Sequence, residues 1–162
     1  MKIAIYPGTF DSITYGHIDV IRKSLNVFDK IIVATTDNVN KNYHFTIEDR
    51  LRIIHNSLFK DLKLSKSKIK VISFDNLTID LCKKFKAYTI IRGLRAVSDF
   101  EYEFQLAGMN KKLNSKIETM FLMSDVENQI ISSKFVKEIA NLGGNIERFV
   151  TRSTVKMLKD KI

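Results

Sequence analysis

The segment with the clearest chemical potential lies between the first apolar run of the chain and the helical pattern that follows it. Residues 7–17 read Pro-Gly-Thr-Phe-Asp-Ser-Ile-Thr-Tyr-Gly-His. Gly8 lets the backbone approach a ligand closely, so the amides around Thr9 and Phe10 can face a phosphate group. These features predict an anion-binding loop at the exit of a strand.

The same segment ends on a glycine and a histidine at the predicted start of a helix. Gly16 permits a tight turn, and His17 then lies where the partial positive charge of a helix N-terminus favours an anion. A histidine there can donate a hydrogen bond to a phosphoryl oxygen as negative charge develops on it. Neither G-x-G-x-x-G nor Gly-Lys-Ser/Thr occurs in the segment, which excludes the dehydrogenase and P-loop ATPase classes.

A second group of cations follows the fourth predicted strand, in the sequence Ile91-Arg92-Gly93-Leu94-Arg95. A guanidinium fork binds two phosphate oxygens at once, which a lysine ammonium does not do. The ordinary alternative is a surface ion pair with the carboxylates that follow, among them Glu103. Spacing alone leaves both interpretations open.

Two further segments offer groups that attract anions. Ser132 and Ser133 come just before a predicted helix, where hydroxyls and backbone amides together form an anion site. Lys41 follows the second predicted strand, and a solvated loop lysine is its ordinary alternative. No group of His, Cys and Asp has metal-site spacing, so no protein metal ligands are predicted.

Short β-branched or aromatic runs predict five strands, and amphipathic stretches between them predict helices. The predicted strands are 2–6, 30–36, 69–74, 88–92 and 118–123. The predicted helices are 17–28, 47–59, 77–85, 99–113 and 133–142, with a basic C-terminal helix at about 146–161. Thr46 and Ser98 are the expected caps of two helices, and Gly143 with Gly144 is an expected stop. Pro7 is expected just after the first strand.

Strands that alternate with helices predict an α/β fold: a Rossmann-like five-stranded parallel sheet with helices on both faces. With 162 residues and no linker or low-complexity stretch, the chain is expected to form one domain, 1–162. Ligands in such folds bind beyond the carboxyl ends of the strands, where the strand order reverses. We therefore expect the anion-binding segments to meet at that edge.

The composition limits the kinds of partner and the cellular compartment that we expect for the chain. The chain has 27 Lys and Arg against 18 Asp and Glu, and its net charge of +9 attracts anions without specifying them. No stretch approaches eighteen uncharged apolar residues, so no membrane span is expected. The single cysteine, Cys82, fits a reducing compartment, which predicts the cytoplasm. The signatures of common nucleic-acid-binding domains are missing, so no nucleic-acid partner is predicted.

The motif Gly8-Thr9-Phe10-Asp11 followed by Thr14-Tyr15-Gly16-His17 resembles the T/H-x-G-H signature of the nucleotidyltransferase superfamily. With the preceding Tyr6-Pro7 it is similar to one branch, the phosphopantetheine adenylyltransferases of bacterial coenzyme A biosynthesis, and the likeness extends through Phe149. The resemblance implies transfer of AMP from ATP to 4′-phosphopantetheine with release of pyrophosphate. It also implies Mg²⁺ carried on the ATP phosphates and a homohexamer.

The resemblance further implies roles for individual residues. The catalytic residues would be His17, Lys41 and Arg95, with His17 stabilising the transition state. The substrate-binding residues would be Thr9, Lys41, Thr78 and Arg92. The ATP-binding residues would be Thr9, Phe10, His17, Gly93, Leu94, Arg95, Glu103, Asn128, Gln129, Ile130, Ile131, Ser132, Ser133 and Lys134. The chain departs from the family pattern at Asn128, where an aromatic residue is usual, and at Lys134, where a serine is usual.

Two rival functions stay open at this point. A related transferase could use another phosphorylated acceptor, such as nicotinamide mononucleotide or glycerol phosphate. A basic domain could also bind nucleic acid through its charge alone. The Arg-Gly-Leu-Arg segment favours pantetheine, and it does so through the resemblance.

Overall fold

A computed structural model describes residues 1–37, 42–95 and 97–161 and contains a five-stranded sheet whose strands all run parallel. The strands are β1 (Ile3–Gly8), β2 (Lys30–Thr36), β3 (Ile69–Phe74), β4 (Thr89–Leu94) and β5 (Glu118–Met123). Their order is β3-β2-β1-β4-β5, so the order reverses between β1 and β4. The predicted parallel sheet is confirmed, and the reversal marks the position where ligands bind in such folds.

The first strand pairs unequally with its two neighbours. It pairs with β2 over all six of its residues, but with β4 only through Ala4 and Ile5, which face Thr89 and Ile90. Beyond Ile5 the two strands no longer share a ladder. A cleft can therefore open between the carboxyl ends of β1 and β4.

Helices connect the strands and follow the last one. They are α1 (Tyr15–Ser24), α2 (Ile47–His55), α3 (Thr78–Phe85), α4 (Val97–Leu113), α5 (Val126–Gln129), α6 (Ser133–Asn141) and α7 (Arg152–Lys159), and α2 continues directly as a π-helical segment, Asn56–Asp61. In the part of the chain that the structure describes, none of these helices has both the length and the apolar character needed to cross a bilayer.

Alternate residues of the buried strands pack against helices on opposite faces of the sheet. Ala4 and Tyr6 belong to a core that also contains buried residues of α1, α2, α6 and α7. Ile5 belongs to a second, smaller core with buried residues of α3. Successive side chains of a strand point to opposite faces, so one strand supplies both cores. Helices therefore cover both faces, as predicted.

Two of the predicted helix signals act as expected. The hydroxyl of Thr46 accepts a hydrogen bond from the Asp49 N–H at 3.2 Å, which satisfies one of the unpaired amides at the start of α2. Gly143 follows α6 with φ of +77°, a left-handed conformation that glycine adopts without strain. The start of α2 and the end of α6 are therefore both determined by residues at the helix ends themselves.

Several predicted boundaries are wrong by a few residues. Strands β1 and β4 each extend two residues further toward their carboxyl ends than predicted, so Pro7 lies inside β1 instead of after it. Helix α4 already begins at Val97, so Ser98 lies in its first turn and is not its cap. The short helix α5 was not predicted, because four residues carry too little periodicity to show a helix.

The C-terminal helix is shorter than the predicted 146–161 and begins at Arg152. Residues 146–150 are used for docking instead: Ile146 and Val150 are buried, and the Phe149 carbonyl accepts a hydrogen bond from the Tyr15 N–H at 2.9 Å. These tertiary contacts replace the hydrogen bonds that a longer helix would make. They also attach the start of α1 to the C-terminal part of the chain.

Candidate active site

A cleft of about 540 Å³ lies at the carboxyl ends of the strands, between β1 and β4. It brings together most of the residues predicted for the site. Those that line it are Thr9, Phe10, His17, Thr78, Arg92, Gly93, Leu94, Arg95, Glu103, Ile131, Ser132, Ser133 and Lys134. Segments separated by more than a hundred residues in sequence thus meet where the strand order reverses.

Three described residues that were predicted for the site, Asn128, Gln129 and Ile130, are not among those that line the cleft. Lys41 lies outside the described residues. Asn128 donates from Nδ2 to the Asp19 carboxylate at 2.6 Å, and Gln129 donates from Nε2 to the Ser124 carbonyl at 3.1 Å. Ile130 points to solvent. The three residues of this last segment therefore contact the protein itself or solvent.

The anion-binding loop after β1 has a constrained backbone. A Cβ atom at Gly8 would lie 3.0 Å from the Phe10 ring, so a larger residue would require the ring to move by a few tenths of an ångström. Phe10 has a φ of +45°, a left-handed conformation that is rare for a bulky side chain. Its buried ring packs edge-on against the rings of Tyr6 and His17, with centroids 5.3 and 5.1 Å away. The packed ring keeps the loop in this conformation.

Asp11 anchors the far side of the loop. Its carboxylate accepts hydrogen bonds from the His44 and Phe45 amides, both at 2.9 Å, and from the Lys137 ammonium at 2.9 Å. Burial alone would raise the pKa of Asp11, but these donors outweigh burial and hold its pKa below the usual range. The ionised carboxylate thus connects the loop to α6 and to the chain before α2.

His17 is the third residue of α1, and the turn that starts the helix fixes the orientation of its ring. The Thr14 N–H donates to Nδ1 at 3.1 Å, and the Thr14 hydroxyl lies 3.0 Å from the same nitrogen. A backbone N–H can only donate, so Nδ1 is an acceptor and carries no proton. The proton of the neutral ring must be on Nε2, which leaves Nε2–H as the donor available to a ligand.

The surroundings of His17 also keep its ring neutral. Burial lowers the pKa of His17, and the nearby charges of Arg95 and Arg92 lower it further, to about 4. The ring is therefore uncharged near neutral pH, and it can donate one hydrogen bond without a change of protonation state.

We expect His17 to be detected directly as the neutral Nε2–H tautomer at pH 7, with a titration midpoint near 4. Long-range ¹H–¹⁵N spectra distinguish a protonated from an unprotonated ring nitrogen, and the chain has only three histidines to assign. Because the pKa in the folded state lies below the unfolded value of about 6.5, the unfolded chain takes up the proton first. His17 therefore lowers the free energy of unfolding as pH falls from about 6.5 to 4. A midpoint above pH 6 would contradict this account.

Arg92 is held in the cleft by three hydrogen bonds. Its Nε and Nη2 each donate at 2.6 Å to the two carboxylate oxygens of Glu103, and its Nη1 donates to the Pro7 carbonyl at 2.9 Å. A guanidinium has five N–H groups, so two remain to bind an anion. The alternative ion pair with Glu103 is therefore present, and the prediction that Arg92 binds a phosphate now concerns its two remaining N–H groups.

Arg95 is held more loosely than Arg92. Its Nε lies 3.4 Å from the Asp99 carboxylate, one turn along α4, and its Nη1 lies 3.5 Å from the Ile131 carbonyl. Almost half of the side chain is exposed, at 45%. Weak contacts of an exposed arginine are readily exchanged for a stronger bidentate contact with phosphate oxygens.

Two helix N-termini face the cleft. Thr14 precedes α1 and Ser132 precedes α6, and both residues line the cleft. The Ser133 hydroxyl donates to the Ser12 carbonyl at 2.7 Å, so it joins α6 to the anion-binding loop. The first amides of each helix have no intrahelical acceptor, and their dipoles favour an anion between them.

Both cleft carboxylates are paired with arginines. Asp99 lies beside Arg95, and Glu103 is bound by Arg92. Within the described ranges, no group of three or more His, Cys, Asp and Glu side chains could hold a metal ion.

The structure adds residues that sequence reasoning missed. Tyr6 lines the cleft with its hydroxyl near Gly93, and burial raises its pKa above the usual range. Phe74, Tyr102 and Leu106 also line the cleft and give it apolar surface, which we call the apolar wall. Arg50 lies fully buried beneath the anion-binding loop. Of these residues, Arg50 alone could have been noticed in the sequence, because a cation at this position lies on the same helix face as the apolar residues Ile53 and Ile54.

Comparison with known proteins gives one consistent result. The model of the cytidylyltransferase-like family matches residues 5–139. A phosphopantetheine adenylyltransferase of Pelagibacter ubique is 66% identical over 160 residues, which cover 99% of this chain and 98% of that protein. A phosphopantetheine adenylyltransferase of Lachnoclostridium phytofermentans is 45% identical over 161 residues, with 99% and 96% covered.

The fold also resembles that of solved structures at low sequence identity. Nicotinic acid mononucleotide adenylyltransferase of Plasmodium falciparum, complexed with APC, superposes with a TM-score of 0.72. The two sequences are 20% identical, and the match covers 98% of this chain and 94% of that one. At this identity the likeness concerns the fold alone.

Proposed function

The chain belongs to the phosphopantetheine adenylyltransferases of the cytidylyltransferase-like family, and on that premise we propose how its cleft carries out the reaction. The enzyme transfers AMP from ATP to 4′-phosphopantetheine and yields dephospho-coenzyme A and pyrophosphate. In our proposal, a phosphate oxygen of the acceptor forms a bond to the α-phosphorus of ATP. The bond from that phosphorus to the β-phosphate bridging oxygen breaks, and pyrophosphate leaves with the electron pair.

The nucleophile in this reaction needs no general base. A phosphate monoester has its second pKa near 6, so it is largely a dianion at neutral pH. The obstacle is to bring two polyanions together in line, and catalysis then depends on positioning and on neutralisation of charge. The cleft offers arginines and helix N-termini for this purpose.

The hydrogen bond from the Thr14 N–H to Nδ1 of His17, which leaves Nε2–H as the free donor, is the observation that carries the mechanism. The His17 ring is fixed through Nδ1 by Thr14, and its remaining donor can meet the α-phosphoryl oxygens. Negative charge on those oxygens changes as the new bond forms, and an oriented donor stabilises that change without reorganisation. We assign His17 as the transition-state stabiliser, between the two phosphorylated substrates.

The cations and helix ends divide between the two substrates in this proposal. The two remaining N–H groups of Arg92 bind the acceptor phosphate, together with Lys41. Arg95 binds the triphosphate with the amides of Ser132 and Ser133 at the start of α6. Glu103, which forms an ion pair with Arg92, is assigned to the binding of the nucleotide. Thr9 and Phe10 present amides to the phosphates at the centre.

The rest of the acceptor fits the apolar wall. Leu77 and Thr78 lie at the start of α3 and line the same cleft as Tyr102 and Leu106. The pantetheine arm combines a branched alkyl group with two amides, so it needs both apolar surface and a few polar contacts. We propose that it lies along this side, with Thr78 as one polar contact.

Mg²⁺ enters this proposal with ATP and not as a resident ion. In residues 1–37, 42–95 and 97–161, the two carboxylates that line the cleft are paired with arginines, and no group of three or more His, Cys, Asp and Glu side chains could hold a metal ion. Mg²⁺ prefers oxygen ligands, keeps several waters and is commonly held through substrate phosphates. When bound, it would neutralise part of the triphosphate charge.

Product identity tests the proposal. Incubation with ATP, Mg²⁺ and 4′-phosphopantetheine should give dephospho-coenzyme A and pyrophosphate in equal amounts by mass spectrometry. Parallel reactions with nicotinamide mononucleotide, glycerol phosphate and no acceptor serve as controls. Faster transfer to another acceptor would refute the assignment of pantetheine, while pyrophosphate release without any acceptor would refute transfer itself.

We further propose that the enzyme works as a cytoplasmic homohexamer. The single cysteine, Cys82, is buried, and burial raises its pKa to about 11, which suits a thiol without a disulfide role in the cytoplasm.

An aromatic patch, defined as Phe100, Phe104 and Phe121, supports assembly into the homohexamer. The centroid of the Phe100 ring lies 5.8 Å from that of Phe104 and 6.0 Å from that of Phe121. Contiguous exposed apolar surface of this kind marks interaction sites.

Replacement of Phe104 by glutamate should break the assembly, because a charge within a buried interface must lose its hydration. Phe104 is 63% exposed in the single chain, so the fold itself should tolerate the change. Sedimentation at micromolar concentration should show a smaller species for Phe104→Glu. Leu142→Glu is the matched control, since Leu142 is also exposed but lies at the end of α6. An unchanged mass for Phe104→Glu would exclude the aromatic patch as an interface.

A further inference from the structure

Arg50 on α2 is a buried cation that no role described so far uses. Its side chain is 0% exposed. Its ion-pair partner, the Asp37 carboxylate, lies 3.2 Å from Nη2 and is about half exposed, while Nε has no hydrogen-bond partner. A buried ion pair seldom stabilises a fold more than a packed apolar side chain does. The directional hydrogen bonds of Arg50 are therefore its distinctive contribution.

Those hydrogen bonds converge on the anion-binding loop. Nη1 of Arg50 donates to the Thr9 carbonyl at 3.1 Å and to the Thr35 hydroxyl at 3.2 Å. The Thr35 hydroxyl in turn donates to the same Thr9 carbonyl at 2.9 Å. The three groups form a closed triangle, and the charge of the guanidinium strengthens its bonds. A single carbonyl oxygen is thus held by two donors.

The position of that carbonyl decides where the next amide points. The Thr9–Phe10 peptide is not among the cis bonds of the chain. In a trans peptide the C=O and N–H groups point in opposite directions. The Thr9 carbonyl points to the buried Arg50, so the Phe10 N–H points away from Arg50, and Phe10 is one of the residues that line the cleft.

Arg50 also connects the loop to the end of β2. Its Nη1 also donates to the Thr36 carbonyl at 2.6 Å, so the two N–H groups of Nη1 serve three acceptors and one hydrogen bond is shared. The guanidinium carbon lies 3.9 Å from the centroid of the Tyr43 ring. One rigid, planar group therefore contacts the ends of two neighbouring strands and an aromatic ring. A lysine has no such fork and could satisfy only part of this set.

We propose that Arg50 is a positioning residue, which aims the Phe10 amide at the reacting phosphate by holding the Thr9 carbonyl. The inference deepens the proposed function and rests on it for the identity of the reaction. Arg50 does not touch the substrates. Its effect should appear in the chemical step, because a misaligned donor loses stabilisation of the transition state more than it loses binding.

Three variants test the proposal. Arg50→Met removes the donors and keeps an aliphatic side chain of similar length, Arg50→Lys keeps the charge, and Thr35→Val removes only the second donor to the Thr9 carbonyl. We expect kcat to fall at least thirtyfold in Arg50→Met, less in Arg50→Lys and least in Thr35→Val. The KM for ATP should change less than threefold in all three. Arg52→Lys is the control, because Arg52 lies on the same helix but is exposed and bound to Asp49.

A spectroscopic readout separates positioning from loss of fold. In ¹H–¹⁵N spectra of the wild-type protein, addition of ATP should shift the Phe10 amide, and that shift should shrink in the Arg50 variants while distant amides keep their folded positions. A kcat within threefold of wild type in folded Arg50→Met would overturn the proposal. A Phe10 shift in that variant as large as the wild-type shift would also overturn it. A loss of kcat no greater than the fraction of unfolded protein would overturn it as well.

The two proposals fail in different ways. If the wild-type protein binds ATP but does not adenylylate phosphopantetheine, the assigned mechanism is wrong, and the Phe10 shift still decides the role of Arg50. If the wild-type protein is active and the variants behave like Arg52→Lys, the role of Arg50 is wrong and the mechanism stands.

Discussion

Replacement of His17 by alanine should lower kcat by a factor of about 10² to 10³, which corresponds to the roughly 3–4 kcal/mol that one oriented donor contributes in a transition state. The loss should fall on kcat because the ring is a neutral donor, and a neutral donor adds little to the binding of ground-state ATP. The dissociation constant for ATP should stay within about threefold of wild type. Single-turnover measurement of AMP transfer and calorimetric titration with ATP separate the two quantities.

The His17→Ala experiment has two controls, a variant of another histidine and a measurement of stability. His55→Ala is the matched variant, because His55 is an exposed residue of α2 whose ring contacts Phe59. It should keep wild-type kcat. Removal of the His17 ring also leaves a gap beside the buried Phe10 ring, so unfolding by urea must be recorded for each variant. Near-normal turnover in folded His17→Ala would eliminate the assigned role.

Replacement of Arg92 by alanine should raise the KM for phosphopantetheine by about 10- to 100-fold, since a hydrogen bond to a charged group contributes about 1.5–3 kcal/mol. The structure predicts a second effect as well. The Glu103 carboxylate is 8% exposed and loses both of its hydrogen bonds when Arg92 is removed. The free energy of unfolding should therefore fall by about 1–3 kcal/mol.

A double variant separates these two consequences. Arg92→Ala with Glu103→Ala removes the unpaired carboxylate, so it should regain stability while the KM for phosphopantetheine, measured at saturating ATP, stays high. Arg152→Ala serves as the control for loss of one positive charge, because Arg152 is exposed at the start of α7. A KM that returns to the wild-type value in the double variant would show that Arg92 acts through stability and not through the substrate.

The sheet could be predicted from the sequence because its strands are short runs of β-branched residues. Strands β2, β3 and β5 have the predicted bounds, and alternation with helices implied the parallel arrangement. Local sequence failed where tertiary contacts decide the backbone. Residues 146–150 follow a helical pattern, but they dock onto the start of α1 through the Phe149 carbonyl instead.

The candidate site was predictable to the extent that its residues lie at the carboxyl ends of strands or at the start of a helix. The segments around Thr9, Arg92 and Ser132 each carry local chemistry, and the topology brings them to one cleft. Their partners were not predictable, since pairings such as Arg92 with Glu103 and Arg50 with Thr9 depend on side-chain geometry. The Nε2–H tautomer of His17 likewise follows from one hydrogen bond that no sequence pattern shows.

Strands β1 and β4 share only a short ladder, and we call this weakly paired boundary within the sheet the seam. Two residue pairs join the strands β3, β2 and β1 to the strands β4 and β5, and the seam is unpaired at the end where the cleft lies. In the proposed mode of binding, a phosphate held by the Phe10 amide on one side and by Arg92 on the other would supply a cross-link that the backbone lacks there. Substrate binding would then also stabilise the pairing of the two halves of the sheet.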